Sequence, residues 1–254
     1  YTFKPLSIGN LKIGYQYRDL DHTGDFIYQR KNNESLLFEL VPEFSSQVNL
    51  KRSIHSAYFQ HNITFEKWNF NAGLRMENMD RNLSLNDKTG QLDESFKLNF
   101  TKLFPSTSIH YQLKENLSIN MAYSKRIERT TTFKMNPFPE REHSETLEQG
   151  DPNLHPELID QIEFGINKKT KNGNSRFFRI YYRSVKDLIN RVNTVYNDTI
   201  LNRIYSNVGN AKVIGRENGG EYNLGKKLKI FYSTSFYYYI IKGSFDDHII
   251  NTDD

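Results

Sequence analysis

Hydrophobic and polar residues alternate along much of this chain with a period of two. Leu11, Ile13, Tyr15 and Tyr17 interleave with Lys12, Gly14, Gln16 and Arg18. Successive strand side chains point to opposite faces, so this pattern predicts a β-strand with one apolar and one polar face. The design returns at Trp68, Phe70, Ala72, Leu74 and Met76 against Asn69, Asn71, Gly73, Arg75 and Glu77, and at Phe96, Leu98 and Phe100 against Lys97, Asn99 and Thr101. It recurs at Ile109, Tyr111 and Leu113 opposite Ser108, His110 and Gln112, and at Leu117, Ile119, Met121 and Tyr123 opposite Ser118, Asn120, Ala122 and Ser124. Two segments depart from it. Phe177 to Tyr182 is apolar on both faces and Leu228 to Ile241 carries aromatics on both, which predicts inward packing against another body.

The breaks between these segments alternate in length. Short ones fall near Glu66-Lys67, Lys114-Glu115-Asn116, Thr170 to Asn174 and Leu224-Gly225-Lys226. Long polar ones run from about Asp19 to Lys51, Asp80 to Glu94, Arg129 to Asp160 and, shorter, Asn193 to Ile200. Transmembrane barrels of the outer-membrane kind alternate short periplasmic turns with longer extracellular loops. The chain therefore reads as all-β: a partial antiparallel transmembrane β-barrel of about nine strands, the first and last running toward the long-loop side. Such a piece has two unpaired edges, so residues 1–254 are expected to form part of a single barrel domain whose remaining strands lie elsewhere. In the long segment Leu201 to Asn223, Gly209, Gly215, Gly219 and Gly220 are expected to be bulges or bends.

Composition fits this reading. Hydrophobic residues make up 37% of the chain and mean hydropathy is -0.72, and no stretch approaches the roughly 20 apolar residues of a membrane-spanning helix. A barrel wall stays polar on average because only alternate residues meet lipid. Sixteen Tyr and 18 Phe give an aromatic share of 14%, as expected of strands and of the headgroup level of a membrane. There is no cysteine, hence no disulfide or thiolate metal site, and a net charge of +4 points to no nucleic-acid partner.

Residues with chemical potential are scattered. His55 and His61 share a predicted strand face about 20 Å apart, beyond the reach of one ion with bonds of ~2 Å. His143 among Glu140, Glu142 and Glu145, and His248 beside Asp246 and Asp247, read as solvated charged loops. His110 with Ser108 or Ser124 is the arrangement nearest to a hydrolase, but two residues along one face is ~6–7 Å, too far for a nucleophile-base hydrogen bond. No catalytic, metal or cofactor site is predicted, and the chain reads as a non-enzyme. Arg18, Asn69, Asn71, Arg75, Glu77, Lys97, Asn99, His110, Asn120 and Arg126, with Lys12 and Gln16, are expected to face a lumen, where they solvate it, clasp an internal domain or meet a passing solute. Tyr196, Tyr205 and Tyr237 to Tyr239 suit either stacking on a ligand or an interfacial belt.

A series of short segments carries a family resemblance. Asn71-Ala72-Gly73-Leu74-Arg75-Met76-Glu77, Phe104-Pro105-Ser106 and Ala122-Tyr123-Ser124-Lys125-Arg126-Ile127 are followed by Met135-Asn136-Pro137-Phe138 and by Gly150-Asp151-Pro152-Asn153-Leu154-His155-Pro156-Glu157. Tyr182-Arg183, Asp187-Leu188-Ile189, Asn207-Val208-Gly209 and Gly215-Arg216-Glu217 come last. In this order they resemble the outer-membrane β-barrel family of TonB-dependent receptors common in Bacteroidetes, over about Asn69 to Tyr239. The run from Gly150 is similar to the family's Gly-Asn-Pro-x-Leu-x-Pro-Glu signature with Asp151 in place of Asn, and Thr130 stands where relatives often have Pro.

The signature positions Asn136, Pro137, Phe138, Gly150, Asp151, Pro152, Asn153, Leu154, Pro156 and Glu157 are expected to build a structural corner, since Gly tolerates positive φ, Asp forms a side-chain turn and Pro fixes φ. The resemblance implies a barrel of roughly 22 strands with a plug domain and a TonB box outside these residues. It implies placement among outer-membrane lipid, uptake of a scarce, bulky solute (siderophore, glycan, peptide or metal complex) powered through TonB, ExbB and ExbD, and possible pairing with a surface lipoprotein. Two other readings stay open: a passive barrel or adhesin without a plug, and a soluble secreted β-protein that binds glycans.

Overall fold

The alternating segments pair edge to edge into one wall. A computed structural model describes residues 9–89, 93–143, 145–170, 172–196, 199–225, 227–246 and 248–253. The chain opens on β1 (Asn10–Phe26), makes a small hairpin of β2 (Gln29–Lys31) and β3 (Phe38–Leu40), and returns as β4 (Ser46–Phe65). β5 (Trp68–Asp87), β6 (Asp93–Lys114) and β7 (Leu117–Glu128) follow as neighbours. Next comes an excursion containing one helical turn, α1 (Thr132–Met135), and two short strands, β8 (Glu140–His143) and β9 (Thr146–Gln149). β10 (Glu157–Lys169), β11 (Ser175–Tyr196), β12 (Ile200–Leu224), β13 (Leu228–Phe245) and the short β14 (His248–Asp253) resume the wall. Its order is β1-β4-β5-β6-β7-β10-β11-β12-β13-β14, antiparallel throughout. Nine long strands and a short tenth thus match the expected count, and among the described residues the sheet does not close on itself.

The four short turns fall where the sequence places them, between β4 and β5, β6 and β7, β10 and β11, and β12 and β13. The long breaks are shorter than expected because the strands overrun them. Pairing of β1 with β4 continues to Phe26↔Ser46, and that of β5 with β6 to Asn86↔Asp93. Polarity reads as loop in the sequence, yet here it marks strand that has left the bilayer and faces water on its outside.

Register assigns each strand residue to one of two faces, and β5 shows how the faces differ along its length. Near the short turn, Asn69, Asn71, Gly73 and Arg75 lie on one face and Trp68, Phe70, Leu74 and Met76 on the other, the latter half exposed. That apolar run matches the ~9–11 residues with which a tilted strand crosses the hydrocarbon. Between Met76 and Asn78 the polarity exchanges. Asn78, Asp80, Asn82 and Ser84 now occupy the outer face, while Met79, Leu83 and Leu85 are buried on the inner one. The same exchange occurs on β1 between Tyr17 and Asp19, and on β6, where Leu103, Pro105 and Ile109 give way to Thr101, Asn99 and Lys97. Above it, the outer face carries a polar ladder: Gln47 donates to Asp25 at 3.0 Å, Asn49 to Thr23 at 3.1 Å and Asn78 to Thr101 at 2.9 Å.

Aromatic residues mark both margins of the apolar band. Near the short turns Trp68 lies 4.2 Å from Tyr111, centroid to centroid. At the far margin the Tyr15 hydroxyl meets His55 Nδ1 at 2.6 Å, and the Tyr123 hydroxyl donates to Asp160 at 2.7 Å. Such rings sit at the headgroup level with one apolar and one wet end.

Of the four glycines expected to be bulges, Gly209 alone is one. Its φ is +130°, it lies opposite a register shift between Val185 and Leu188, and Lys242 O leaves no room for a side chain. Gly215, Gly219 and Gly220 stay in regular pairing with β11 and β13. At Gly215 and Gly219 the space of the missing side chain holds the rings of Tyr181 and Phe177. On the second face of β11 the rings of Tyr181 and Phe177 thus lie over glycines of β12.

Candidate functional site: inner wall and inserted loop

The inner face carries most of the polar set singled out in the sequence. Arg18, Asn69, Asn71, Arg75, Glu77, His110, Asn120 and Arg126 share it through the registers of β1, β4, β5, β6 and β7. Low on the wall, Asn62 Nδ2 donates to Asn69 and Asn71 at 3.2 and 3.1 Å, and Asn69 donates to Thr64 at 2.8 Å. Lys97 and Asn99 do not belong to this set, which corrects the sequence expectation. They lie on the outer face above the polarity exchange, while Phe96, Leu98 and Phe100 turn inward. Above the membrane the wet side of the wall is the outside, so the polar residue of each pair points there.

His110 stands opposite Asn69 and Asn120, whereas Ser124 pairs with Ser106, four residues from His110 along β6. That is ~13 Å of strand, so the serine and histidine cannot act as nucleophile and base. Among the described residues no cluster of three or more metal-ligating side chains forms; the His143 side chain lies outside what is described.

The excursion from Arg129 to Pro156 folds back against the upper inner wall. Met135 and Leu154 are fully buried against Val48, Leu50, Leu83 and Leu85, with Phe138, Ile189 and Tyr205 around them. This dry cluster is why the inner stripes of β4 and β5 turn apolar above Met76. Burial of side chains of this size contributes roughly 1.5–3 kcal/mol each.

Polar clasps fix the loop in that seat. Arg81, in the otherwise apolar inner stripe of β5, donates through Nη1 to the Leu154 carbonyl at 2.8 Å and to Met135 Sδ at 3.1 Å, and through Nη2 to the Pro152 carbonyl at 3.1 Å. On the opposite flank Asn207 accepts from His155 N–H at 2.8 Å and donates to its carbonyl at 3.1 Å and to the Asp187 carbonyl at 2.6 Å. At the loop's entry the buried Glu77 carboxylate pairs with Arg129 and Arg75. Burial depresses the Arg129 guanidinium's pKa; Glu77 opposes this, and repulsion from Arg52, Arg75 and Arg18 adds to it.

Within the loop the signature residues hold one another. Gly150 N–H donates to Asn136 O at 2.5 Å and Asp151 N–H to Lys134 O at 3.0 Å, an approach so close that a side chain on Gly150 would strike Lys134. Asp151 Oδ1 accepts Asn153 N–H at 2.8 Å, an Asx turn that presents the Pro152 and Leu154 carbonyls to Arg81. Asn136, buried, accepts Phe138 N–H at 3.2 Å and donates to Glu140 at 2.8 Å. Burial raises the Glu140 carboxyl above its ordinary range; the Asn136 bond opposes this and Glu148 adds to it. Gln149 donates to Pro137 O at 2.9 Å, and Glu157 accepts Ile189 N–H at 2.7 Å. β9 then pairs in parallel with the start of β12, and Arg191 bonds Glu148 at 2.9 Å.

Arg81 and Arg129 are not singled out by the sequence, and Met135 enters there only as part of a segment that carries the family resemblance. A signal existed for Arg81: the apolar set of β5 moves from even positions (Trp68 to Met76) to odd ones (Met79 to Leu85), and Arg81 is the single charge in the second stripe. The tyrosines divide. Tyr205 packs with Phe133 and takes the Lys134 ammonium at 5.5 Å, while Tyr238 lies on the outer face and Tyr237 and Tyr239 on the inner one.

This architecture has solved counterparts. The copper transporter OprC superimposes with a TM-score of 0.66 at 15% identity, covering 98% of this chain and 37% of that one. The siderophore receptor PiuA from Acinetobacter baumannii gives 0.63 at 14%, covering 98% and 39%, and the ferric citrate transporter FecA gives 0.61 at 14%, covering 98% and 35%. The chain thus spans a little over a third of the length of these structures, and the likeness concerns the fold. No curated protein matches it by sequence. Residues 1–253 match the outer membrane protein beta-barrel family, and the chain belongs to that family, with its place in the outer membrane.

Proposed function

We propose that these strands are part of the barrel of a TonB-dependent receptor that takes up a bulky, scarce solute across the outer membrane. The observation that carries this reading is the inner wall below the inserted loop. Phe231 and Tyr237 stand 69% and 67% exposed on the same face as Arg126 and Arg183. A water-filled pore gains nothing from large aromatics turned inward, whereas an internal plug domain would cover them. The fold shared with a copper transporter, a siderophore receptor and a ferric citrate transporter supports the same reading. Coupling to TonB, ExbB and ExbD, and any surface lipoprotein partner, rest on the sequence resemblance. Membership of an outer-membrane barrel family leaves the passive barrel or adhesin as the competing reading.

Conductance of the full-length protein in a planar lipid bilayer separates the two. A plugged receptor leaves the bilayer electrically silent. A steady open-channel current identifies a passive barrel and overturns the proposal.

A further inference from the structure

Above the apolar band the wall has a notch. β7 pairs with β6 only as far as Ser106↔Ser124, and the chain then turns inward, where Arg129 meets the buried Glu77. β6 itself runs on, paired to β5 without a register shift from Pro105 up to Asp93. Among the described residues no strand covers the other edge of that stretch. β10 reaches no higher than β7, their last pair being Glu157↔Glu128. The next tall strand is therefore β11, three strand spacings or ~14 Å away. The two lips of the notch differ. On β11, Asp187 has a φ of +57°, the register with β12 shifts, and the Ile189 N–H is taken by Glu157. On β6 the edge is regular, and a cavity of about 200 Å³ lies along it, between Leu98, Phe100 and Lys102 on one side and His155, Pro156 and Leu158 on the other.

An unpaired strand edge presents a row of N–H and C=O groups that another extended chain satisfies as a set. Side chains decide which chain. Leu98 and Phe100 are half-buried toward the inner face, while Asn99 and Thr101 are exposed on the outer one. Lys97, outward, and Lys102, inward, are exposed, and among the described residues neither has a salt-bridge partner. Lysines on an edge keep unspecific strands away, and a carboxylate directly across from each stabilises the right one.

We propose that the β6 edge from Lys97 to Lys102 is a docking site for an extended acidic segment of another polypeptide, added as an antiparallel strand between β6 and β11. Its backbone completes the β6 ladder in the direction in which each wall strand meets its neighbour. Two apolar side chains lie opposite Leu98 and Phe100. Carboxylates opposite Lys97 and Lys102 place its acidic residues five positions apart. The site is at the rim of the wall, away from the lower inner face, and the inference does not rest on the receptor reading, since the edge is the same in a passive barrel.

The test uses full-length protein in detergent and, as probe, the capped, fluorescein-labelled peptide Glu-Thr-Val-Thr-Val-Glu, followed by fluorescence anisotropy. Saturable binding is expected, with slowed hydrogen exchange over residues 97–103. Lys97→Glu/Lys102→Glu should weaken binding about tenfold or more, and the peptide with Lys in place of both Glu should prefer that variant to the unsubstituted protein. If the charge-reversed variant does not fold, Lys97→Gln/Lys102→Gln takes its place, with a loss of about threefold. N-methylation of every second peptide residue keeps the charges and removes donors from one edge of the peptide; of the two phases, one should abolish binding and the other preserve it. Absence of saturable binding overturns the proposal. So does binding that both N-methylated forms retain, that the lysine variants leave unchanged, or that protects a segment other than residues 97–103.

Discussion

The lower and upper halves of the same strands obey opposite rules. Below Met76, β5 turns Trp68, Phe70, Leu74 and Met76 outward and Asn69, Asn71 and Arg75 inward; above it, Asn78, Asp80 and Asn82 face outward and Met79, Leu83 and Leu85 inward. Pairing is continuous across the change, so the backbone does not cause it. The surroundings do. The lower wall stands between lipid and a polar interior, the upper wall between water and the loop that carries Met135 and Leu154. A substitution should therefore reverse its effect on crossing that boundary.

The largest effect is expected at the upper inner face. Leu83→Lys places a charge in the fully buried cluster at a cost of several kcal/mol, and should abolish the heat-modifiable folded band of full-length protein on electrophoresis. Asn82→Lys, one residue away on the outer face, should leave the band unchanged. A folded Leu83→Lys would break the comparison.

Next comes the lower outer face. Leu74→Arg should destabilise by about 2–4 kcal/mol in urea titrations in lipid vesicles, as charges on the lipid side of a barrel do. Asn71→Arg on the inner face should shift the midpoint little. Equal effects at the two sites would mean that Leu74 does not meet lipid.

A smaller, local effect tests the clasp. Arg81→Met keeps much of the bulk but loses bonds to the Pro152 and Leu154 carbonyls, a loss of about 1–3 kcal/mol. Limited proteolysis should cut between Arg129 and Pro156 faster in the variant while the wall stays resistant. An unchanged cleavage rate would show that the apolar seat alone holds the loop.

The smallest effect concerns pH. Burial raises Glu140, so the folded loop holds that proton more tightly than an unfolded one. Its contribution is fully present below the ordinary carboxylate pKa of about 4.3 and is lost as pH rises through the raised value. Hydrogen exchange over residues 136–149 should quicken across that window, and Glu140→Gln should flatten the trend. Parallel pH profiles for the two proteins would contradict it.

Much of the wall was legible in the sequence, since period-two alternation and short charged turns are local signals. Which face is wet was not, because alternation has the same period in lipid and in water. Lys97 and Asn99 read as lumenal only if polar means lumen, and their register puts them on the outer face. The informative signal was a change of phase on β5, where the apolar stripe moves from Met76 to Met79. The loop's seat was less accessible still. Arg81 meets Pro152 and Leu154 across 71 and 73 residues of chain, and no local pattern encodes that meeting. Gly215 and Gly219 illustrate the same limit: a strand glycine reads as a bend until the ring of Tyr181 or Phe177 is found lying over it.

Cysteine scanning along β5, a strand without cysteine of its own, on a full-length background otherwise freed of cysteine, is the most direct measurement of the boundary. Single cysteines at 72, 74, 76, 78, 80 and 82 of β5 in the full-length protein, reconstituted in vesicles, would be treated with a water-soluble maleimide. Protection at 72, 74 and 76 with rapid labelling at 78, 80 and 82 is the predicted result. Protection that continues unchanged through 82 would place the upper outer face in lipid and contradict the exchange of polarity at Met76.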